Sequence, residues 1–165
     1  MLLADGRPCR ALPPEVLMQC DDSIRSVLNS KGEAVFSVPP DASVYQALSL
    51  MASRDIGALL VMENDNLVGI LSERDYARKV ILLGRSSMET SVRDVMSSPV
   101  CVMLSDTVDS CLHLMTAMRV RHLAAVDRGR IAGVVSIGDL VNWMISAQTE
   151  TINHLHSYVA SAYPG

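Results

Sequence analysis

Hydrophobic positions along the chain follow two different periods. Short apolar runs, such as Ala34 to Val38 and Ala58 to Met62, have the length of β-strands. Between them, Val44, Leu48 and Met51 recur with spacings of four and three residues, the period of a helix that buries one face. The pattern therefore predicts short strands that alternate with amphipathic helices.

This pattern occurs twice, at an offset of 64 residues. Residues 38–81 align with residues 102–145 without a gap, and 10 of the 44 pairs are identical, where roughly 3 are expected from average composition. Most identical pairs are apolar, as two similar cores require. Two pairs are polar: Ser72 aligns with Ser136, and Asp75 aligns with Asp139. The chain is therefore predicted to contain two copies of one structural unit.

Each copy is predicted to have the order strand, helix, strand, strand, helix. Asp41 and Ser105 stand before the first helix of each copy, where they can serve as N-caps. Polar residues 63–66 and 127–130 separate two apolar runs, which predicts a hairpin in each copy. The second helix begins after Ser72 or Ser136, and in the first copy it runs through residues 76–81. The predicted fold is α+β, with two βαββα repeats.

The two repeats are expected to form one compact module around a pseudo-twofold axis. A unit of about 50 residues cannot bury its own sheet and helices, so the two should pack face to face. The predicted parts are an N-terminal arm (1–23), a first repeat (24–82), a linker with the second repeat (83–146) and a C-terminal helix and tail (147–165). The spacing of Ile152, Leu155 and Val159 predicts that last helix.

Composition narrows the class of protein. The chain has 165 residues, of which 49% are hydrophobic and 19% charged, a balance typical of a globular domain. A net charge of −4 and 4% aromatic residues disfavour nucleic acid as a partner. No apolar run approaches the roughly 18 residues of a membrane span, and charges at positions 5, 7 and 10 interrupt any secretory signal. We expect a cytoplasmic protein whose four cysteines (9, 20, 101 and 111) are reduced.

The polar pairs belong to a repeated Gly-h-h-Ser-x-x-Asp motif, where h is apolar, at residues 69–75 and 133–139. The motif places a hydroxyl and a carboxylate where a strand meets a helix. Free backbone N–H groups there can bind an anion, and the carboxylate can accept both hydroxyls of a ribose, so the motif suits a nucleotide. Ser-x-x-Asp before an apolar helix is also a capping box that needs no ligand. From the motif alone, both interpretations remain open.

No catalytic apparatus is visible in the sequence. It contains no Gly-x-Ser-x-Gly nucleophile elbow, no phosphate loop and no Gly-x-Gly-x-x-Gly fingerprint. His154-x-His156 and Cys111-x-His113 lack the further ligands of a zinc site. We therefore expect no enzyme, no catalytic cofactor and no metal.

The doubled unit and its motif resemble a tandem pair of CBS domains, the module named after cystathionine β-synthase. The likeness covers about residues 24–146 and includes the segment at residues 72–79 and Arg121-His122-Leu123. It is similar to the stand-alone bacterial CBS-pair proteins. The resemblance implies two clefts between the repeats that bind adenosine nucleotides of AMP, ADP, ATP or NAD type. It also implies that the aspartate of each motif binds the ribose.

The resemblance assigns residues to two clefts, which we name after their aspartates. The Asp75 cleft joins the first motif to the second repeat, with three further basic residues at its side: Ser72, Asp75, Val100, Arg121 and His122, then Arg74, Arg78 and Lys79. The Asp139 cleft joins the second motif to the first repeat: Ser136, Asp139, Phe36, Gly57, Ala58 and Lys31. Arg78 and Lys79 can equally be solvated surface charges.

Charge distinguishes the two expected clefts. The Asp75 cleft gathers more cations, so phosphate should prefer it, and protonation of His122 should strengthen AMP binding as the pH falls from about 7.5 toward 6. The sequence also departs from the family. Where many relatives carry a proline after the leucine of the middle strand, this chain has Leu60 and Ala124. We expect this departure to alter the strand near the adenine.

The sequence supports a regulatory module that binds adenosine nucleotides and converts occupancy into a change of shape or partner affinity. A homodimer is expected, both from the resemblance and from apolar helix surface that two small repeats leave uncovered. The alternative is a structural dimerisation module with no physiological nucleotide. An enzyme acting on nucleotides is disfavoured, because neither motif has a base, a metal set or a nucleophile around it.

Overall fold

The computed structural model describes residues 22–32 and 35–147. The predicted arm up to residue 21 and the predicted helix around Ile152 lie outside this part of the chain. The first half contains α1 (Ile24–Lys31), β1 (Ser37–Val38), α2 (Val44–Arg54), β2 (Ala58–Glu63), β3 (Asn66–Ser72), α3 (Glu73–Lys79) and a 3₁₀ turn (Ile81–Leu83). The second half contains α4 (Val92–Val95), β4 (Cys101–Met103), α5 (Val108–Met118), β5 (His122–Asp127), β6 (Arg130–Ser136) and a last helix, α6, over residues 137–147.

The strands form two sheets of identical topology. Their orders are β1-β2-β3 and β4-β5-β6. In each sheet the first two strands are parallel and the last two form an antiparallel hairpin. The register shifts between Val61 and Met62, and at the equivalent place between Ala125 and Val126. The predicted α+β fold with two βαββα repeats is confirmed.

The N-caps of helices α2 and α5 lie two residues after the predicted positions. The caps are Ser43 and Thr107, so the prediction of Asp41 and Ser105 was wrong. The Ser43 hydroxyl accepts a hydrogen bond from the backbone N–H of Gln46, whose side chain accepts one from the backbone N–H of Ser43. This reciprocal pair satisfies two N–H groups at the helix start, which a cap at Asp41 would leave unpaired. Helix α3 also ends earlier than predicted, at Lys79.

The two sheets pack face to face. A buried layer between them combines side chains from both hairpins and from β4: Ala58, Leu60, Leu67, Ile70, Cys101, Ala124 and Val126. Each sheet then covers a second core with its own helices, one around Leu59 and Met51 and one around Leu123 and Met115. Each sheet therefore has one face against the other sheet and one face against helices. This is the predicted face-to-face arrangement.

The short helix before each repeat packs against the other repeat. Ile24, Val27 and Leu28 of α1 are buried in the core of the second repeat, and the Ile24 N–H donates to the Asp106 carbonyl at 2.9 Å. Helix α4 is buried in the core of the first repeat in the same way. No helix was predicted at residues 24–31 or in the linker that begins at residue 83. The chain thus crosses between the repeats, and these crossings tie them together.

The glycine of each motif accommodates this packing. A methyl group on Gly69 would overlap the Met96 side chain, and one on Gly133 would lie 2.9 Å from a methyl carbon of Leu28. Met96 follows α4, and Leu28 lies on α1. The paired glycines therefore allow each short helix to approach the opposite hairpin.

Two further findings concern the hydrophobic character of the helices and the state of the cysteines. Among the described helices, none combines the length and the apolar character that a bilayer crossing requires. Cys101 and Cys111 are buried. Burial raises the pKa of Cys111 to about 12, so its thiol is protonated at neutral pH. Cys9 and Cys20 lie outside the described residues.

Candidate functional site

Two clefts open where the repeats meet, and each contains one Ser-x-x-Asp motif. The Asp75 cleft has a volume of about 520 Å³ and the Asp139 cleft about 310 Å³. Residues of both repeats line each cleft. Both volumes lie within the range of about 300–1,000 Å³ typical of small-molecule sites.

The structure brings the predicted residues of each cleft together. All eight assigned to the Asp75 cleft line it: Ser72, Arg74, Asp75, Arg78, Lys79, Val100, Arg121 and His122. All six assigned to the Asp139 cleft line it: Lys31, Phe36, Gly57, Ala58, Ser136 and Asp139. Gly57, His122 and Ser136 line both cavities, so the clefts are neighbours. The role of these residues as nucleotide ligands stays a prediction.

Asp75 is fixed by a capping box and by a second set of partners. Its Oδ2 accepts hydrogen bonds from the Ser72 hydroxyl at 2.6 Å and the Ser72 N–H at 3.1 Å. Its Oδ1 accepts from Lys79 Nζ at 2.8 Å and from the Ser97 hydroxyl at 2.7 Å. Burial raises the pKa of Asp75, but the hydrogen bonds from Lys79, Ser72 and Ser97 outweigh it and leave the pKa below 3.8. The group is a carboxylate at neutral pH.

Asp139 has the same box and a different cation. Its Oδ2 accepts from the Ser136 N–H at 2.7 Å, the Ser136 hydroxyl at 2.8 Å and Lys31 Nζ at 2.6 Å. Burial raises the pKa of Asp139, but the bonds from Lys31 and Ser136 outweigh it and lower the pKa below 3.8. Lys31 belongs to α1, so the crossing helix delivers this cation to the cleft.

His122 stands at the boundary of the two clefts. Its Nε2 lies 3.6 Å from the position that a Cβ on Gly57 would occupy, so the glycine leaves room for the imidazole. Burial lowers the pKa of His122 below 6.5, and the positive charges of Lys31 and Arg121 lower it further against the opposite effect of Asp139 and Asp75. The imidazole is neutral at pH 7 and above.

Comparison with known proteins agrees with this geometry. The profile of the CBS domain matches residues 24–81 and again residues 92–146. The chain belongs to the CBS-domain family. It is 36% identical over 152 residues to the CBS domain-containing protein CBSX3, mitochondrial, of Arabidopsis thaliana, which covers 86% of this chain and 73% of that protein. The resemblance seen in the sequence is confirmed.

Solved structures of CBS proteins have the same fold. The CBS domain structure of NE2398 is 44% identical and superposes with a TM-score of 0.72, covering 75% of this chain and 98% of that one. The CBS domain protein PAE2072 from Pyrobaculum aerophilum, solved in complex with AMP, is 24% identical with a TM-score of 0.64, covering 71% and 88%. At that identity the second likeness shows the fold alone.

Leu60 and Ala124, which stand where many relatives carry a proline in the middle strand, each have a backbone N–H that donates a hydrogen bond beside a cleft. The Leu60 N–H donates to the Phe36 carbonyl at 3.2 Å, and the Ala124 N–H donates to the Val100 carbonyl at 2.9 Å. Proline has no N–H, so it could make neither bond. Phe36 and Val100 line the two clefts, so in this CBS pair these bonds anchor residues of both cleft walls.

Several lining residues were missed in the sequence. In the Asp75 cleft these include Glu73, Ser97, Ser98 and Arg119, and in the Asp139 cleft Asp55. Ser97 was missed because it lies in the connection, outside the aligned repeat. Asp55 and Arg119 do align at the offset of 64, and both end a helix with a positive φ. Because Asp55 and Arg119 occupy the same position after α2 and α5, the alignment of the repeats could have identified both as cleft residues.

Proposed function

We propose that this CBS pair is a regulatory module that binds adenosine nucleotides in the Asp75 and Asp139 clefts. The observation that carries the proposal is the meeting, in one cavity, of the Ser72 and Asp75 pair of the first repeat with Arg121 and His122 of the second. A carboxylate that accepts hydrogen bonds from the ribose hydroxyls and a guanidinium that pairs with phosphate are the two groups that a nucleotide requires.

Each part of the nucleotide has a partner of matching chemistry. The ribose hydroxyls donate to Asp75 or Asp139, which are both ionised at neutral pH. The phosphate in the Asp75 cleft accepts from Arg121, assisted by Arg74 and Arg78. The adenine packs against the apolar wall that Val100 provides in this cleft and Phe36 in the other. AMP, ADP, ATP and NAD all carry the adenosine that these contacts require.

Occupancy would be read as a change in the arrangement of the repeats. A ligand that touches both repeats favours the arrangement in which both sets of contacts are made. The module would then couple nucleotide concentration to shape or partner affinity, without catalysis. The AMP complex of PAE2072 supports the proposal, since that protein shares the fold.

Calorimetry with AMP tests the proposal. Each aspartate should contribute about 1.5–3 kcal/mol of charge-assisted hydrogen bonding to the ribose, so Asp75→Ala combined with Asp139→Ala should abolish measurable AMP binding. Ser43→Ala combined with Thr107→Ala is the matched control, because it also removes two helix-capping groups, at about 1 kcal/mol each, outside both clefts. Unchanged AMP affinity in the folded aspartate variant would refute the proposal.

The alternative is a structural module without a physiological nucleotide. It is favoured by one observation: both aspartates already complete capping boxes, which is a sufficient structural role. The alternative predicts no heat with AMP, ADP, ATP or NAD.

We also propose that the chain is a homodimer. Among the described residues, Leu82 is 77% exposed beside Ile81 and Leu83, and Ile137, Val141 and Ile145 form an exposed stripe on α6. Light scattering at micromolar concentration should report twice the chain mass of 17.9 kDa. Leu82→Glu should give a monomer, while Met103→Glu, on an exposed strand position elsewhere, should not. A monomeric wild type, with and without nucleotide, would contradict the proposal.

A further inference from the structure

Basic and acidic side chains are divided unequally between the clefts. Two acidic residues, Glu73 and Asp75, line the Asp75 cleft together with five basic residues: Arg74, Arg78, Lys79, Arg119 and Arg121. The Asp139 cleft is lined by one basic residue, Lys31, and by two acidic residues, Asp55 and Asp139. With His122 neutral, the first cleft has an excess of positive charge and the second an excess of negative charge.

The pairing of these groups increases the difference. Within the described part of the chain, the guanidinium groups of Arg78, Arg119 and Arg121 make no hydrogen bond or ion pair. In the Asp139 cleft, Lys31 is already paired with Asp139 at 2.6 Å. Guanidinium forks match phosphate oxygens, and neighbouring unpaired cations repel one another until an anion joins them. The Asp75 cleft therefore favours several phosphate groups.

Sugar hydroxyls have the opposite preference. Both oxygens of Asp75 are occupied, Oδ2 by Ser72 and Oδ1 by Lys79 and Ser97. The bonds that Asp139 accepts from the described residues all end on Oδ2, which leaves Oδ1 open to a ligand. A ribose can reach Asp139 without displacing a protein group, whereas at Asp75 it must share Oδ1 with Ser97 or Lys79.

We propose that the two clefts sort adenosine ligands by phosphate content. The Asp75 cleft takes adenosine ligands that carry phosphate, above all the polyphosphate chain of a nucleoside triphosphate, and the smaller Asp139 cleft takes a nucleoside without phosphate. This inference rests on the proposed function and adds a ligand class to each cleft. The volumes agree with it, since the polyphosphate ligand is assigned to the larger cavity.

Calorimetry at pH 7.5 with magnesium-free ATP and with adenosine tests the assignment. Arg78→Gln combined with Arg121→Gln should weaken ATP binding at least tenfold and reduce the ratio of ATP to adenosine affinity by the same factor. The matched control, Arg128→Gln combined with Arg130→Gln, removes two charges from the β5–β6 turn, outside both clefts, and should change ATP affinity less than twofold. Equal losses in the two double variants, or equal losses of ATP and adenosine in the first, would overturn the assignment.

Substitution of the two aspartates tests the assignment of the nucleoside to the Asp139 cleft. Asp139→Ala should weaken adenosine at least tenfold, and Asp75→Ala should weaken it less than threefold. The reverse order would overturn the sorting while leaving the proposed nucleotide function intact. If neither ATP nor adenosine binds the wild-type protein, the proposed function fails, and this inference fails with it.

Discussion

His122 lies between the two clefts, and charged residues of both repeats act on it. Burial lowers its pKa below 6.5, Lys31 and Arg121 lower it further, and Asp139 and Asp75 raise it. The folded protein therefore binds fewer protons than the unfolded chain just below pH 6.5. The contribution of His122 to the free energy of unfolding should fall as the pH drops through this window and level off below the folded-state pKa.

A bound phosphate should raise the pKa of His122, which burial lowers in the folded protein. A negative charge in the Asp75 cleft favours the imidazolium form, so proton uptake by His122 strengthens AMP binding below pH 6.5. This window lies lower than the one expected from the sequence, because burial lowers the pKa of His122.

Calorimetry between pH 8 and pH 5.5 measures the effect. The AMP affinity of the wild type relative to His122→Asn should rise as the pH falls below 6.5, and this ratio cancels the titration of the phosphate itself near pH 6. His113→Asn, on the exposed side of α5, should match the wild type. A ratio that stays constant with pH would show that His122 does not sense the phosphate.

The sequence predicted the centre of the candidate site but not its surroundings. Asp75 and Asp139 were visible because the repeat places the same polar residue at the same step in two otherwise apolar units. The roles of Lys79 and Ser97 were not, because Ser97 enters the cleft through α4, whose place was unknown. Which oxygen of a carboxylate remains open depends on such partners, so the difference between the clefts required the structure.

At the scale of elements, the crossing helices determine how the repeats are joined. Helix α1 contributes Ile24, which is fully buried, to the core of the second repeat, and α4 contributes Val92 and Val95 to the first. Through Lys31, α1 also supplies the cation that pairs with Asp139. Packing in the core and charge in the cleft therefore depend on the same short helix.

Substitution of Ile24 tests this dependence. Ile24→Ala should lower the free energy of unfolding by about 2–5 kcal/mol, because it leaves a cavity in the second core. Ile24→Val should cost only about 0.5–1.5 kcal/mol. Urea unfolding of both variants measures the series. Losses below about 0.5 kcal/mol for both would show that α1 does not belong to that core.

Neither crossing helix could be predicted from local pattern. Helix α1 has 8 residues and α4 has 4, and helices shorter than about 12–15 residues are marginal without tertiary contacts. Their stability comes from partners far away in the chain, such as Val108 for α1 and Val44 for α4. The hairpins were predicted correctly because their strands and turns are neighbours in the sequence.

At the scale of the whole molecule, the clefts and the packing of the sheets form one system. Gly57, His122 and Ser136 line both clefts, and the buried layer between the sheets lies beside them. A nucleotide in either cleft therefore contacts residues whose positions depend on how the two repeats pack. This gives the module a physical route from occupancy to shape.

The most direct test of nucleotide binding between the repeats is an AMP titration of ¹⁵N-labelled protein followed by NMR. The largest amide shift changes should occur at residues of both motifs and of the opposite repeats, including Ser72, Asp75, Arg121, Ser136 and Asp139. The exposed turn between β2 and β3, at Asn64 and Asp65 outside both clefts, should change least. No saturable shift changes at millimolar AMP, or changes confined to surfaces outside the two clefts, would contradict the account.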